Sequence, residues 1–195
     1  MVGKPPSMLL SAKDGNWAWS SSGRIVTLNC DAGEFWWKMP KGFDGEKTHQ
    51  DLYRIATYTL LSPWVDGILD DWDPTRSYGK FPGLSFSGGI DSTACYVLMP
   101  KDTVLIHHRR SFKSLLKHNG ADRLFKYIKR KTGRIVHSIP SNHEKIRTSW
   151  GMPNGFSTDL AAAVHLILLA DFFDLRGIAL GMPIDNTYLW HGHRK

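Results

Sequence analysis

Cysteine, long apolar runs and, over one stretch, acidic residues are what this sequence has little of. Only Cys30 and Cys95 are present among 195 residues. Their spacing suggests no bridge, which argues against a disulfide-stapled secreted scaffold and for a reducing, cytoplasmic setting. The longest apolar stretch, residues 160–170, contains His165 and falls well short of the ~20 residues a membrane-spanning helix needs. The first ten residues hold one lysine, two prolines and a short apolar patch, so they read as neither a secretory signal nor a membrane span. Neither an internal repeat nor a low-complexity tract is found. Acidic residues are scarce in one place: residues 101–150 carry 13 Lys and Arg against 3 Asp and Glu, a local balance of +10. The rest of the chain carries 12 against 15, or −3, so the net +7 is concentrated in one region. A local excess of this kind attracts phosphates or nucleic acid, or simply solvates a helix face near an anion site.

What is present is a globular composition, 42% hydrophobic and 22% charged, in a length that fits one domain or one domain plus an appendage. Residues 1–80 differ in pattern from the remainder. Trp17 and Trp19, a Ser-Ser-Ser-Gly turn at 20–23 and the β-branched run Arg24-Ile25-Val26-Thr27-Leu28 predict a hairpin. Phe35-Trp36-Trp37 adds a strand. Leu52, Ile55, Ala56, Thr59 and Leu60 fall at helical spacing and predict a helix over about 47–61, stopped before Pro63. Residues 1–80 are therefore expected to form a small N-terminal appendage. Six of the eight tryptophans lie there and are expected in its core rather than on a base-stacking surface.

From Phe81 the pattern becomes strand–helix alternation. Strands are expected at 83–87, 103–107, 134–139 and 177–184. Helices are expected at 91–99 (ended by Pro100), at 121–131, and from a Ser157 or Thr158 cap, with Asp159 in the first turn, to about Phe173. Residues 81–195 thus read as an α/β domain, a parallel sheet with helices on both faces. In such sheets ligands sit at the carboxyl ends of the strands, near Ser87, His107, Ser141 and Asp185.

The sequence Ser85-Phe86-Ser87-Gly88-Gly89-Ile90-Asp91-Ser92-Thr93 carries the chemistry. It follows an apolar strand and opens a helix. Two glycines let the backbone turn tightly and approach an anion with no Cβ in the way. A helix start supplies unpaired N–H groups and the positive end of the dipole. Ser87, Ser92 and Thr93 add hydroxyl donors. Asp91 repels phosphate, so its natural partner is a Mg²⁺ on that phosphate. The absence of a Gly-Lys-Ser/Thr arrangement excludes a Walker loop.

This loop resembles the signature of the PP-loop ATP pyrophosphatases, the adenine nucleotide α-hydrolase-like superfamily, over about residues 81–190. The resemblance implies a HUP/PP-loop type of fold. It also implies ATP and Mg²⁺ as cofactors, with ATP split to AMP and pyrophosphate, AMP activating a substrate oxygen, and a C–N bond formed as a nitrogen nucleophile displaces AMP. Asp91 and Ser92 would then be catalytic, with Asp91 on the metal. Residues 85–93, His107, Arg109, Gly181 and Asp185 would bind the nucleotide. The turn Met152-Pro153-Asn154-Gly155-Phe156, the Ala-rich helix after it and the stretch Gly181-Met182-Pro183-Ile184-Asp185-Asn186-Thr187-Tyr188 look most like 7-cyano-7-deazaguanine synthases of queuosine biosynthesis. A 7-carboxy-7-deazaguanine-like base is then the expected acceptor. Two departures stand out. No cysteine follows Cys95, so the four-cysteine zinc cluster of those synthases is absent and no zinc is expected. The chain reaches Lys195 soon after the fourth strand, where that fold normally continues, which suggests a fragment, a pared-down relative or part of a complex. Residues 1–80 resemble the extended N-termini of synthase-like proteins in phages and bacterial anti-phage systems. Alternatives kept open are a tRNA-modifying adenylating enzyme, for which the basic stretch speaks, and a non-catalytic nucleotide-sensing subunit of a larger assembly. Small-molecule substrate, tRNA, partner subunit or homo-oligomer are the expected company, and no membrane. His191 and His193 read as a frayed terminus, His165 as a core histidine and Cys95 as packing.

Overall fold

A computed structural model describes residues 10–11, 17–30, 33–111, 119–149 and 161–181. Its main feature is a seven-stranded mixed sheet. Strands β2 (Trp17–Ser22), β3 (Ile25–Cys30) and β4 (Gly33–Lys38) form an antiparallel meander. Strands β6 (Phe81–Ser85), β7 (Val104–Arg110), β8 (Val136–Ser141) and β9 (Leu175–Leu180) run parallel, and the order across the sheet is β2-β3-β4-β8-β7-β6-β9. A short parallel pair, β1 (Leu10–Ser11) with β5 (Val65–Asp66), stands apart.

The meander joins the parallel half where β4 meets β8, antiparallel, through the single pair Trp37 and Ser141. Asn142 extends that thin junction. Its Oδ1 accepts from the Trp36 N–H at 2.8 Å and its Nδ2 donates to the Glu34 carbonyl at 2.9 Å. The N-terminal strands therefore belong to the same sheet as the strand–helix alternation. The sheet is mixed, where the sequence pattern predicted a parallel one, because that pattern covered only the strands after Phe81.

Helices cover both faces. On one face, α2 (Ile90–Leu98) and α3 (Asn119–Thr132) pack Tyr96, Leu124, Phe125 and Ile128 against Leu84, Phe86 and Leu105. On the other, α1 (Gln50–Leu61) and α5 (Val164–Leu168) join Val26, Leu28, Trp37, Ile106 and Ile139 in one core. The switch between Leu105 and Ile106 is the two-residue period of a strand buried on both sides. Trp37 is fully buried, and Trp17, Trp19 and Trp64 pack against the same core. Asp51, in the first turn of α1, accepts hydrogen bonds from Trp72 Nε1 and from the Thr75 and Arg76 N–H groups. These bonds hold its carboxyl below the usual range and fasten the segment 72–76 to α1.

Several elements depart from the sequence pattern. β7 continues through Arg110, because residues 107–110 pair with Ser138–Ser141 of β8. A helix α4 (His143–Ser149) follows β8 without any apolar period to announce it. The apolar stretch is a single 3-10 turn (Ala161–Ala163) and the short α5, not a helix running to Phe173. It ends in turns closed by Asp174, whose φ is +53° and whose carbonyl accepts the N–H groups of Lys80 and Phe81. The expected cap at 157–159, the 152–156 turn, Asp185, His191 and His193 lie outside the described residues. Among the described residues, no helix is long and apolar enough to cross a membrane.

Candidate nucleotide-binding site

The parallel strands, numbered by their own sequence, lie in the order third, second, first, fourth. The chain's direction of travel reverses at β6, and in open α/β sheets ligands bind outside the carboxyl ends of the strands at such a point. The loop 86–89 sits there. Phe86 anchors it from below, fully buried, with its ring 5.6 Å from those of Tyr96 and Phe125. Its N–H donates to the Ile106 carbonyl, and its own carbonyl lies 3.1 Å from His107 Nδ1. His107 is buried edge-on to Phe125. It thus props the loop, with no face open to a base.

Above Phe86 the backbone turns. Gly88 has φ +80°, and a Cβ there would meet Ala121 of α3 at 3.2 Å. Gly89 is the N-cap of α2, extended at φ −78° and ψ 172°, and α2 begins with no side-chain cap. The first-turn N–H groups of Ile90, Asp91 and Ser92 are the kind of donors that hold a phosphate. Ile90 is 84% exposed and Asp91 is exposed beside it. The hydroxyls shape the loop. Buried Ser92 Oγ lies 3.0 Å from Ser87 Oγ, accepts from the Gly88 N–H and donates to the Gly89 carbonyl. Ser87 Oγ accepts from the Gly89 N–H, and Thr93 Oγ1 donates to the Gly89 carbonyl. Gly181, just after β9, backs onto α2 so closely that a Cβ would stand 2.5 Å from Ser92 N.

The structure thus brings residues 85–93, His107 and Gly181 together around one turn. Arg109, at the end of β7, points instead to α3, where Asp122 accepts from both its terminal nitrogens at 2.9 and 3.2 Å. That pairing raises the arginine's pKa.

A second polar group lies at the same end of the sheet, and no motif in the sequence announces it. His108 and Arg110 point from β7 to the face opposite Arg109. There they meet His143, Glu144 and Arg147 of α4 and His165 of α5, and all six are buried or nearly so. The His108 ring lies 4.4 Å from that of His143 and 5.7 Å from that of His165. Glu144 binds Arg110 through Nη2 at 3.0 Å and through Nε, and lies 3.8 Å from His108 Nδ1. Burial first, then neighbouring histidines and arginines, push the pKa values of His108 and His143 well below the usual imidazole range. Ser141 Oγ sits 2.9 Å from His143 Nδ1, but both are fully buried, so this pair offers no accessible nucleophile. Among the described residues no group of three His, Cys, Asp or Glu side chains is arranged to hold a metal ion. The alternation of β7 is the available signal in the sequence: residues 108 and 110 share a face, and only their partners are distant.

Comparison of the chain with family models, with curated proteins and with solved structures finds no match in any of the three.

Proposed function

We propose that this chain is a cytoplasmic ATP-dependent adenylating enzyme of the PP-loop type, splitting ATP to AMP and pyrophosphate to activate an oxygen of a small acceptor. The observation that carries the reading is the uncapped start of α2 behind the left-handed Gly88, set where the strand order reverses. The order third, second, first, fourth in the parallel half is that of a doubly wound nucleotide-binding sheet and supports a HUP/PP-loop assignment. Backbone N–H groups of the exposed residues Ile90 and Asp91 bind the pyrophosphate end of ATP. Ser87 and Ser92 hold the turn in shape, and Gly181 lets the β9 end close against it. Asp91 fits Mg²⁺, since one carboxylate plus substrate phosphates is the usual way that ion is held. When bound, Mg²⁺ neutralises charge developing on the leaving pyrophosphate. With Asp91 assigned to the metal, catalysis in this reading rests on positioning and charge stabilisation. The acceptor that the family resemblance favours is a 7-carboxy-7-deazaguanine-like base.

The test is a thermal scan with ATP and Mg²⁺, followed by pyrophosphate release with 7-carboxy-7-deazaguanine, with tRNA and with neither. A ligand at a hundredfold excess over its dissociation constant stabilises by about 2.7 kcal/mol. No shift with ATP, AMP or pyrophosphate removes the reading. Binding without turnover favours a nucleotide-sensing subunit. Asp91→Asn should lower pyrophosphate release far more than it lowers ATP affinity measured by calorimetry. Equal losses would make Asp91 structural.

A further inference from the structure

The basic stretch is the feature that the nucleotide loop does not absorb, and the fold sorts its charges into two kinds. The strand arginines are neutralised: Arg109 by Asp122 and Arg110 by Glu144. The helix cations are not. Arg123, Lys126, Lys129, Arg130 and Lys131 of α3 are exposed, and none has an acidic partner among the described residues. Asp122, the one acid of α3, is occupied by Arg109. Arg123, Lys126 and Arg130 stand at i, i+3 and i+7, away from the inward-packed Leu124 and Ile128, and so form one stripe. Tyr127 lies in the same stripe, 51% exposed, with the Arg130 guanidinium 5.7 Å from its ring centre. A large ring left in water within a line of unpaired cations is the combination that takes a phosphate backbone and stacks a base.

The position of the stripe matters as much as its charge. The Gly88 turn abuts Ala121, so the first turn of α3 starts at the candidate nucleotide loop. Arg123 is within one turn of that residue, and the stripe runs on from it for about 10 Å at 1.5 Å per residue.

We propose that the exposed face of α3 is a docking surface for single-stranded nucleic acid, whose backbone lies along Arg123, Lys126 and Arg130 and whose unpaired base stacks on Tyr127. The strand is led towards the loop at Gly88. Duplex is disfavoured because its bases are already stacked and cannot reach the tyrosine ring. The inference rests on the helix alone. A nucleotide-induced thermal shift recorded on the same preparations separates its failure from failure of the adenylating reading.

The experiment is fluorescence anisotropy of the full chain with a labelled single-stranded oligonucleotide of about 16 nucleotides, repeated with its duplex across a series of salt concentrations. Binding should fall linearly in log–log form with salt. Arg123→Ala/Lys126→Ala/Arg130→Ala should weaken it by more than about 30-fold and reduce the slope by about 2, near 0.7 for each phosphate no longer neutralised. A charge-matched variant at Lys38, Lys41 and Lys47 should change affinity less than about threefold if local charge dominates over net charge. Tyr127→Ala should weaken single-strand binding about tenfold, the worth of one base stack, and leave duplex binding unchanged. Equal effects of the two triple variants, stronger binding of duplex, or a neutral Tyr127→Ala would each overturn the proposal.

Discussion

Two polar regions lie at the same end of this sheet, and they are built in opposite ways. The loop of residues 86–89 is continuous in sequence and partly exposed, and its shape depends on glycine backbone and short hydroxyls. The histidine–arginine cluster on the other face draws on β7, α4 and α5, is almost entirely buried, and is held by long side chains. The first has the character of a site that meets a ligand. The second is a polar plug in an apolar core, where each charge must find its partner inside the protein. The difference teaches where tolerance lies: the loop should lose binding before stability, and the cluster the reverse.

The largest expected effect tests the plug. Glu144→Ala leaves Arg110 buried without its carboxylate and should cost about 3–5 kcal/mol of stability in urea unfolding. A loss below about 1 kcal/mol would mean that water reaches the cluster and that the contrast between the faces is false.

A smaller effect comes from pH. In the unfolded chain His108 and His143 take protons near pH 6.5, but in the folded chain only at much lower pH. Between these limits the unfolded state binds more protons. Stability is therefore full above about pH 7 and falls as pH drops below about 6.5, by about 1 kcal/mol per pH unit and per histidine. Urea titrations at neutral and mildly acidic pH measure the slope. A flat profile would place charged imidazoles inside the fold. On the proposed reading, an ATP-induced shift depends on the loop and should persist wherever the protein stays folded.

The smallest stability effect carries the largest functional one. Gly88→Ala puts a Cβ on a left-handed residue, 3.2 Å from Ala121, and should cost about 1–2 kcal/mol. The same change should abolish most of the ATP-induced thermal shift, because the turn that aims the helix start is displaced. Full retention of that shift would take Gly88 out of the binding surface.

These contrasts also explain what the sequence makes legible. The hairpin over 17–30, the helix ending at Leu61 and the strand–turn–helix around Gly88 can be read because each is set by neighbours in the chain. The sequence pattern ends β7 at His107, where the polar run His-His-Arg-Arg replaces the apolar one. Arg110 is inside because Glu144, supplied by a later helix, meets it there, while Arg109 pairs with Asp122 nearer the surface. α4 escapes the pattern for a related reason: His143, Glu144 and Arg147 line its inner face, so no apolar period marks it. The early end of the apolar stretch depends on a left-handed Asp174 whose carbonyl serves Lys80 and Phe81, a contact that no local pattern encodes.

The junction at Asn142 has a consequence for how the molecule opens. Between β4 and β8 there is one paired position, and a side-chain amide supplies two of the bonds that hold the edges together. Sheets usually unzip where the ladder is sparse, so this line is the natural boundary between cooperative units. Amides of the meander should then exchange with solvent through a partial opening that leaves β6, β7 and the Gly88 turn closed. What opposes that opening is the tryptophan packing of Trp19 and Trp37. The meander is thereby kept on the sheet by its core more than by its hydrogen bonds.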